Sequence, residues 1–552
     1  MIKKIYLATL LLTASLAGAQ SLAWGGRLGG DGEDVVLAMH TDAAGNTYTT
    51  GYFTNTADFD ITEGEYPLTT NSDFNCFLQK TAPNGTLLWA RSMGGEFGDY
   101  GTKIATDTSG NVYLTGVFQS EADFDPGEGQ FMLTSAGSLD IFVVKLNSGG
   151  EFVWAKNFPG TEYEESNGIG VDSDGNVYVS GYFYTELDFD PADGEYLLTP
   201  EVGDGFLAKL TKDGNFLWAQ KIGGAGFDLA TGMQVTPTGD VYVSGNFEGV
   251  VDFDGPDGLI YLTADPNTVG IFLYHADRFG DFVGATKVGQ CDSAAYGLSV
   301  AVDSSGNAYV TGYMTGASTF LTSEGTVTMT PTDFINGYLA RVNAEGGVDW
   351  AKHLSGTGVS TGYAVAVNSA DEVLLNGYFN GTMTLGAISL TKENTGDTES
   401  YVAKINNHGG FVWAVQLGGI NTVDRSAISI DPDDNILVSS AFEGAVDLDP
   451  GTETLAAESL GFRDSFLVKI GDDALSVPNY DKPSLSFYPN PVKDVLHLSN
   501  PPLGKTDYVL YDALGRAIKS GNLSDTQIDM SGLQAGLYHL SADGNSHKII
   551  KR

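Results

Sequence analysis

The stretch Asn176–Gly181, "NVYVSG", alternates apolar and polar-tipped positions: Val177 and Val179 face one way and Tyr178 the other. A period of two predicts a β-strand. The surrounding segment gives three more such runs, near "GIGVD", "GFLAKL" and "FLWAQKI". "DSDGN" and "TKDGN" separate them as tight turns, where Gly takes a positive φ and Asp or Asn bonds its own backbone. One unit therefore reads as four short antiparallel strands.

The unit recurs. The glycine that ends "VYVSG" falls at Gly51, Gly116, Gly181, Gly245, Gly312 and Gly377, with Ser440 in the seventh place. A second ruler, the tryptophan of "FVWA", falls at Trp24, Trp89, Trp154, Trp218, Trp350 and Trp413, with Gly284 in the fifth place. A residue held to one phase of a repeat points to packing between units. Four-stranded sheets at a fixed period predict a β-propeller. The last unit stops at "DSFLVKI", Asp464 to Ile470, without a tryptophan strand, and "LAWGGRLGG" near the N-terminus is a tryptophan strand with nothing before it. The fold class expected is all-β: a seven-bladed propeller over 20–470, closed by its N-terminal strand. Closure leaves no free sheet edge.

The strings G-N-V-Y-V-[ST]-G, D-x-F-x-x-K-[LI] and x-x-W-A-x-x-x-G-G resemble the SBBP-type β-propeller repeat of bacterial surface and secreted proteins. The resemblance covers about residues 22–470 and implies the propeller but no single activity. Counted by tryptophan, the fifth blade departs most, with Gly284 and "YHADRFG" in place of the usual residues.

After Ile470 the polar stretch 471–483 reads as a linker. Residues 484–552 read as a small β-sandwich with hairpin turns at Asp512–Gly515 and Asp543–Asn545. Tyr488-Pro489-Asn490-Pro491, Asp512 to Arg516, Gly536-Leu537-Tyr538 and Lys548 to Arg552 resemble the type IX secretion C-terminal sorting domain. That resemblance implies the type IX secretion machinery as a partner, export through the periplasm, and release or attachment at the outer cell surface. An Ig-like accessory domain, such as a carbohydrate-binding module, is the alternative.

At the other end, Lys3 and Lys4, the apolar stretch Ile5 to Leu16 and Ala17-Gly18-Ala19 predict a signal peptide over 1–19. No run has the length of a spanning helix. The formal net charge is −42, and residues 20–483 carry 64 acidic against 19 basic side chains. Such a surface repels phosphate backbones, so no nucleic-acid partner is expected. Two cysteines, Cys76 and Cys291, rule out a disulfide framework and read as separate buried thiols.

Chemistry is sparse. Asp58-Phe59-Asp60, Asp123-Phe124-Asp125, Asp188-Phe189-Asp190, Asp252-Phe253-Asp254 and Asp447-Leu448-Asp449 follow the second strand of five units, where "STF" and "MTL" stand in two others. In a meander these loops share a face with the inter-blade "GG" pairs, such as Gly94-Gly95. Paired Asp has the hard-oxygen character calcium takes, but D-x-D alone lacks the ligand count of a full loop. The other reading has the first Asp capping a turn, the aromatic packing inward and the second Asp solvated. "DSDGN" at Asp172 reads as a turn, because its siblings lose the second Asp. The histidines, His40, His275, His353, His408, His497, His539 and His547, share no metal-ligand spacing. "GVSTG", Gly358 to Gly362, matches a nucleophile-elbow string but lies between blades. No residue is assigned a catalytic, cofactor-binding or metal role. No cofactor is expected, with calcium the one candidate.

Two functions are expected from different classes. A monomeric, non-enzymatic surface module would bind an extracellular protein or polysaccharide through the long-loop face. A secreted hydrolase or lyase would carry its site at the propeller axis, and clustered His, Arg and Tyr there would favour it; His275 and Arg278 are the one hint. A purely structural role in adhesion or gliding machinery is a third reading.

Overall fold

The computed structural model describes residues 20–62, 64–70, 72–190, 194–253, 260–392, 397–419, 423–451, 453–471, 486–488, 491–499, 507–512, 516–522, 527–542 and 545–552. The signal peptide expected over 1–19 lies outside the described residues, as does the expected linker apart from Gly471. The chain divides into two compact units, Met1–Asp473 and Ala474–Arg552. Among the described residues both are built from antiparallel strands, with no helix.

In the larger unit the four-strand pattern holds. Glu164–Val171, Val177–Phe183, Asp204–Leu210 and Phe216–Ile222 form one antiparallel meander. The seventh such set draws on both ends of the chain. Val423–Ile430, Ile436–Phe442 and Asp464–Ile470 are followed in the sheet by Leu22–Gly30, which pairs Gly25 with Val468 and Arg27 with Phe466. Arg27 seals that seam with a 2.7 Å ion pair to the buried Asp464. The first strands of successive sets lie side by side, and Asp34–Thr41 of the first set lies beside Val423–Ile430 of the seventh. Cores form between neighbouring sheets: Tyr113 and Val143 of the second set pack with Val179, Phe183 and Phe206 of the third.

The structure moves one feature. Gly284, His275 and Arg278 belong with the fourth set, not the fifth. Val269–Ala276, which carries His275, pairs with Val241–Glu248 and with Phe282–Cys291. The tryptophan count runs one ahead because Trp24 lies on the strand that completes the seventh set.

The tryptophans join one set to the next. Trp24 Nε1 donates to the Pro83 carbonyl at 2.9 Å, Trp89 to Ser148 at 3.3 Å, Trp154 to Lys212 at 3.1 Å and Trp350 to Asn407 at 3.3 Å. Each acceptor sits in the turn between the third and fourth strands of the following set. Two residues on, a glycine of positive φ lies flat against the ring. A Cβ on Gly150 or Gly214 would come within 3.0 Å of the indole, so the turn glycine serves both the backbone and the seam. The lysine of the "KL" motif acts in parallel: Lys145 Nζ reaches the Lys212 carbonyl at 2.9 Å, and Lys209 the Arg278 carbonyl at 2.8 Å.

The smaller unit has two sheets. Ser486–Tyr488, Val495–Ser499 and Gln527–Asp529 form one; Ala517–Asn522, Asp507–Asp512, Gly536–Ala542 and Asn545–Lys551 form the other. Leu496 and Ile528 from the first and Leu510 and Leu540 from the second share one core. Of the sorting-domain landmarks, Pro489, Asn490 and Ala513 to Gly515 lie outside the described residues.

Candidate functional site

The acidic segments are not open loops. Each is a hairpin; those of Asp58, Asp123 and Asp447 cross to the preceding set and add strands to its outer edge, while Leu187–Asp188 with Leu197–Leu198 and Val250–Asp252 with Tyr261–Thr263 form two-stranded sheets of their own. Glu121–Asp123 pairs with Met132–Thr134, and Asp123 and Ala122 lie opposite Gly94 and Gly95 of the tryptophan strand before them. Asp58 lies opposite Gly29, and Asp447 opposite Gly418, in the same way. The "GG" pairs are thus strand ends. The "STF" and "MTL" segments are hairpins as well, Ser318–Thr322 with Gly325–Met329 and Thr382–Leu385 with Ile388–Thr391, closed by tight turns.

The acid's role follows from that contrast. A tight turn leaves few amides unpaired; the longer acidic tip leaves several. Asp123 Oδ1 accepts from the amides of Asp125 at 3.0 Å and Phe131 at 2.8 Å. Asp58, Asp188 and Asp447 do the same two and eight residues along. The second acid makes a smaller turn: Asp125 Oδ1 takes the Gly127 amide and Asp449 Oδ1 the Gly451 amide. Between the acids, Phe59, Phe124, Phe189, Phe253 and Leu448 are buried. Asp254 lies outside the described residues. In "DSDGN", Asp172 Oδ1 takes the amides of Asp174 and Asn176, and Lys209 pairs with Oδ2 at 3.3 Å. Among the described residues no three His, Cys, Asp or Glu side chains are grouped to hold a metal ion. Cys76 and Cys291 are buried and unpaired, and burial pushes the Cys76 thiol up to about 12. Gly358 to Gly362 lies between sets, where Ser360 Oγ is buried and donates to the Leu354 carbonyl.

A different place gathers chemistry. One cavity of about 680 Å³ is lined by the first strands of all seven sets. Its walls are largely Val, Ile, Leu, Ala and Gly. Most of these strands carry a β-bulge near their start, for example between Ser166 and Gly168 and between Asp424 and Ser426. A bulge re-aims its extra residue. Leu37, Asn167, Thr231, Leu298 and Arg425 are such residues, and all line the cavity. Arg425 holds a φ of 49° and is exposed.

Tyrosines gather at the end where the first strands begin. Tyr182, Tyr296 and Tyr363 line the cavity with Glu165 and Lys103. Tyr296 packs on Tyr313 at 4.8 Å, Tyr363 on Tyr378 at 6.4 Å, and Tyr182 on Tyr184 at 5.7 Å. Tyr52 bridges Phe74 and Tyr100, and Tyr184 meets Phe227. The arc thus runs from the first set to the sixth, and the seventh contributes Arg425. At its centre Tyr163 and Tyr182 both donate to Glu165 Oε2 at 2.5 Å. Burial, then the Glu165 charge, holds both phenols well above their ordinary range; the same causes push Tyr100 up to about 12. Burial lowers Lys103, with Glu165 opposing. Deeper along the wall, burial takes His40 down to about 4, and its Nε2 meets Thr106 Oγ1 at 3.0 Å. Loops on the same side present Phe334 (71% exposed), Leu460 (66%) and Phe462 (59%).

His275 and Arg278 are not part of this cavity. His275 stacks on Tyr242 at 4.1 Å, and Arg278 pairs with Asp174 of the neighbouring set. The tyrosines were missed from sequence. The available signal was the residue after the ruler glycine, Tyr52, Tyr182, Tyr313 and Tyr378.

Comparison with known proteins fits this architecture. Residues 88–117 match the model of a β-propeller repeat, and residues 486–552 match the secretion system C-terminal sorting domain. An uncharacterized WD repeat-containing protein of Acanthamoeba polyphaga mimivirus is 23% identical over 503 residues, covering 77% of this chain and 36% of its own. Regulatory protein FlaEY of Caulobacter vibrioides is 24% identical over 410 residues, covering 69% of this chain and 40% of its own. The chain thus spans well under half the length of these relatives. Among solved structures, Sqt1 from Chaetomium thermophilum is 12% identical, with a TM-score of 0.32 over 82% of this chain and 99% of that one. The type IX sorting tail marks a secreted or cell-surface protein carrying β-propeller repeats. No helix among the described residues is long and apolar enough to cross a membrane.

Proposed function

We propose that residues 20–470 form a seven-bladed β-propeller closed by Leu22–Gly30, exported with a signal peptide over 1–19 and the sorting domain over 484–552, and that it acts as a monomeric binding module for an extracellular protein or polysaccharide. The binding face is the side where the first strands begin. The observation that carries this reading is the tyrosine arc at one end of the cavity, with exposed Phe334, Leu460 and Phe462 in loops on the same face. Large exposed apolar side chains gathered about a pocket mark recognition surfaces, and tyrosine gives contact area at low entropic cost.

The full chain, immobilised, should retain a ligand from a panel of extracellular polysaccharides and surface proteins. Phe334→Ser with Phe462→Ser should weaken that retention at unchanged thermal midpoint. Retention untouched by these changes and by Tyr182→Ala would overturn the assignment of the face.

A second reading is a hydrolase or lyase at the axis. Its support is the set Lys103, Tyr100, Tyr163 and Tyr182, groups with shifted proton affinities beside the cavity-lining Glu165. Release of new reducing ends, or of an unsaturated sugar, from a retained polysaccharide would establish it. Intact polymer after prolonged incubation leaves the binding role.

A further inference from the structure

The axial mouth has a chemistry that narrows its ligand, given the binding role above. Glu165 spends Oε2 on two phenols, so its other oxygen is the acceptor offered to the cavity it lines. The same cavity is lined by an amine, Lys103, an amide, Asn167, and the flat rings of Tyr182, Tyr296 and Tyr363, each ring half-buried. The lining joins flat rings with donors and acceptors, and Tyr182 lies within hydrogen-bond reach of Glu165. A sugar ring presents the complement: apolar C–H faces bordered by hydroxyls that both donate and accept.

Charge decides the kind of sugar. Lys103 and Glu165 place opposite charges in the same cavity lining. Arg425 also lines the cavity, in a chain whose net charge is −42. A long polyanion meets that field before it meets Arg425. A neutral chain meets no such barrier. Phe334, Leu460 and Phe462 on the surrounding loops give further sugar units apolar surface outside the cavity.

We propose that the cavity mouth is a subsite for a neutral glycan: Tyr182 and Tyr296 stack on a sugar ring, Glu165 accepts from its hydroxyls, and Lys103 and Asn167 donate to them.

The test is affinity electrophoresis of the full chain in gels containing a neutral β-glucan, xylan or galactomannan, against alginate or pectate. The expected result is retardation by a neutral polymer that persists in high salt. Glu165→Gln and Tyr182→Ala should each weaken it about tenfold, and Tyr182→Phe, which keeps the ring, should weaken it less. Circular dichroism melts identify any variant that fails to fold, and Tyr296→Ala then provides the second probe. Retardation by the acidic polymers alone, abolished by salt, would overturn the neutral-glycan assignment. Neutral-glycan binding lost in the Phe334→Ser, Phe462→Ser protein but unchanged in Glu165→Gln and Tyr182→Ala would overturn the subsite while leaving the binding face in place. No retardation by any polymer, together with a protein ligand lost in the same Phe variants, would also overturn the glycan while sparing the face.

Discussion

The seam between the fourth and fifth sets lacks its indole, and restoring one should strengthen the molecule. At Trp24, Trp89, Trp154 and Trp350 the indole covers the turn glycine of the next set and donates to a carbonyl two residues earlier. At Gly284 a new Cβ would meet nothing within 4 Å, and the facing Gly346 keeps the required positive φ of 85°. Thr286 Oγ1 now bonds the Gly346 carbonyl at 2.9 Å in partial compensation. A tryptophan side chain covers roughly 200 Å² when buried. Its counterparts at Trp154 and Trp218 are only partly covered, so about 100 Å² is a fair transfer, near 2.5 kcal/mol at ~25 cal/mol per Å². A hydrogen bond to the Ala344 carbonyl adds about 1 kcal/mol, and freezing the side chain removes about 1 kcal/mol. Gly284→Trp should therefore stabilise by ~2.5 kcal/mol, read as a higher urea midpoint at unchanged slope by far-ultraviolet circular dichroism. Gly284→Thr controls for strand preference alone, worth under ~1 kcal/mol. A tryptophan variant no more stable than the threonine variant would refute the idea that ring-on-glycine packing holds the seams.

Two further outcomes follow from buried and capping acids. Burial raises Asp34, Asp99, Glu164 and Asp228 to about 7. Asp464 and Arg27 face the first of these, Asp140 and Glu162 the third, Asp204 and Glu248 the last. The folded chain holds these protons more tightly than the unfolded chain, so their stabilising effect is full below about pH 4 and is lost as pH rises through 7. The melting midpoint should be higher at pH 5 than at pH 8, and Asp228→Asn should flatten that slope; a midpoint that rises from pH 5 to pH 8 contradicts the assignment. Asp123→Ala strands two amides and should cost ~1–2 kcal/mol, more than Asp125→Ala, while millimolar calcium and chelator should give the same midpoint. A saturable rise with calcium, lost in Asp123→Ala, would instead make the acidic tips metal sites.

Strands and turns were legible because period-two alternation and the D-G-N turns are local signals. Trp24 and Trp89 also revealed their seam role, since a residue fixed in one phase has one structural job. The hairpins were not legible: Glu121–Asp123 is three residues long and pairs with Gly94 and Gly95 of the preceding set, a partner no local pattern names. The cavity mouth was hidden for a related reason. Tyr182, Tyr296 and Arg425 sit at different phases of different repeats, and they face one cavity only because seven first strands stand around it. Near-equivalence of the units masked the asymmetry, which resides in single bulged or terminal positions such as Arg425 and Glu165.

The N-terminal strand completes the last of the sheets whose first strands line that cavity. Hydrogen–deuterium exchange of the intact protein measures this directly. The account predicts that amides of Leu22–Gly30 exchange as slowly as those of Leu87–Gly95, the equivalent strand of the first set. Exchange of Leu22–Gly30 within seconds, with Asp464–Ile470 unprotected on the same edge, would contradict closure and with it the axial site.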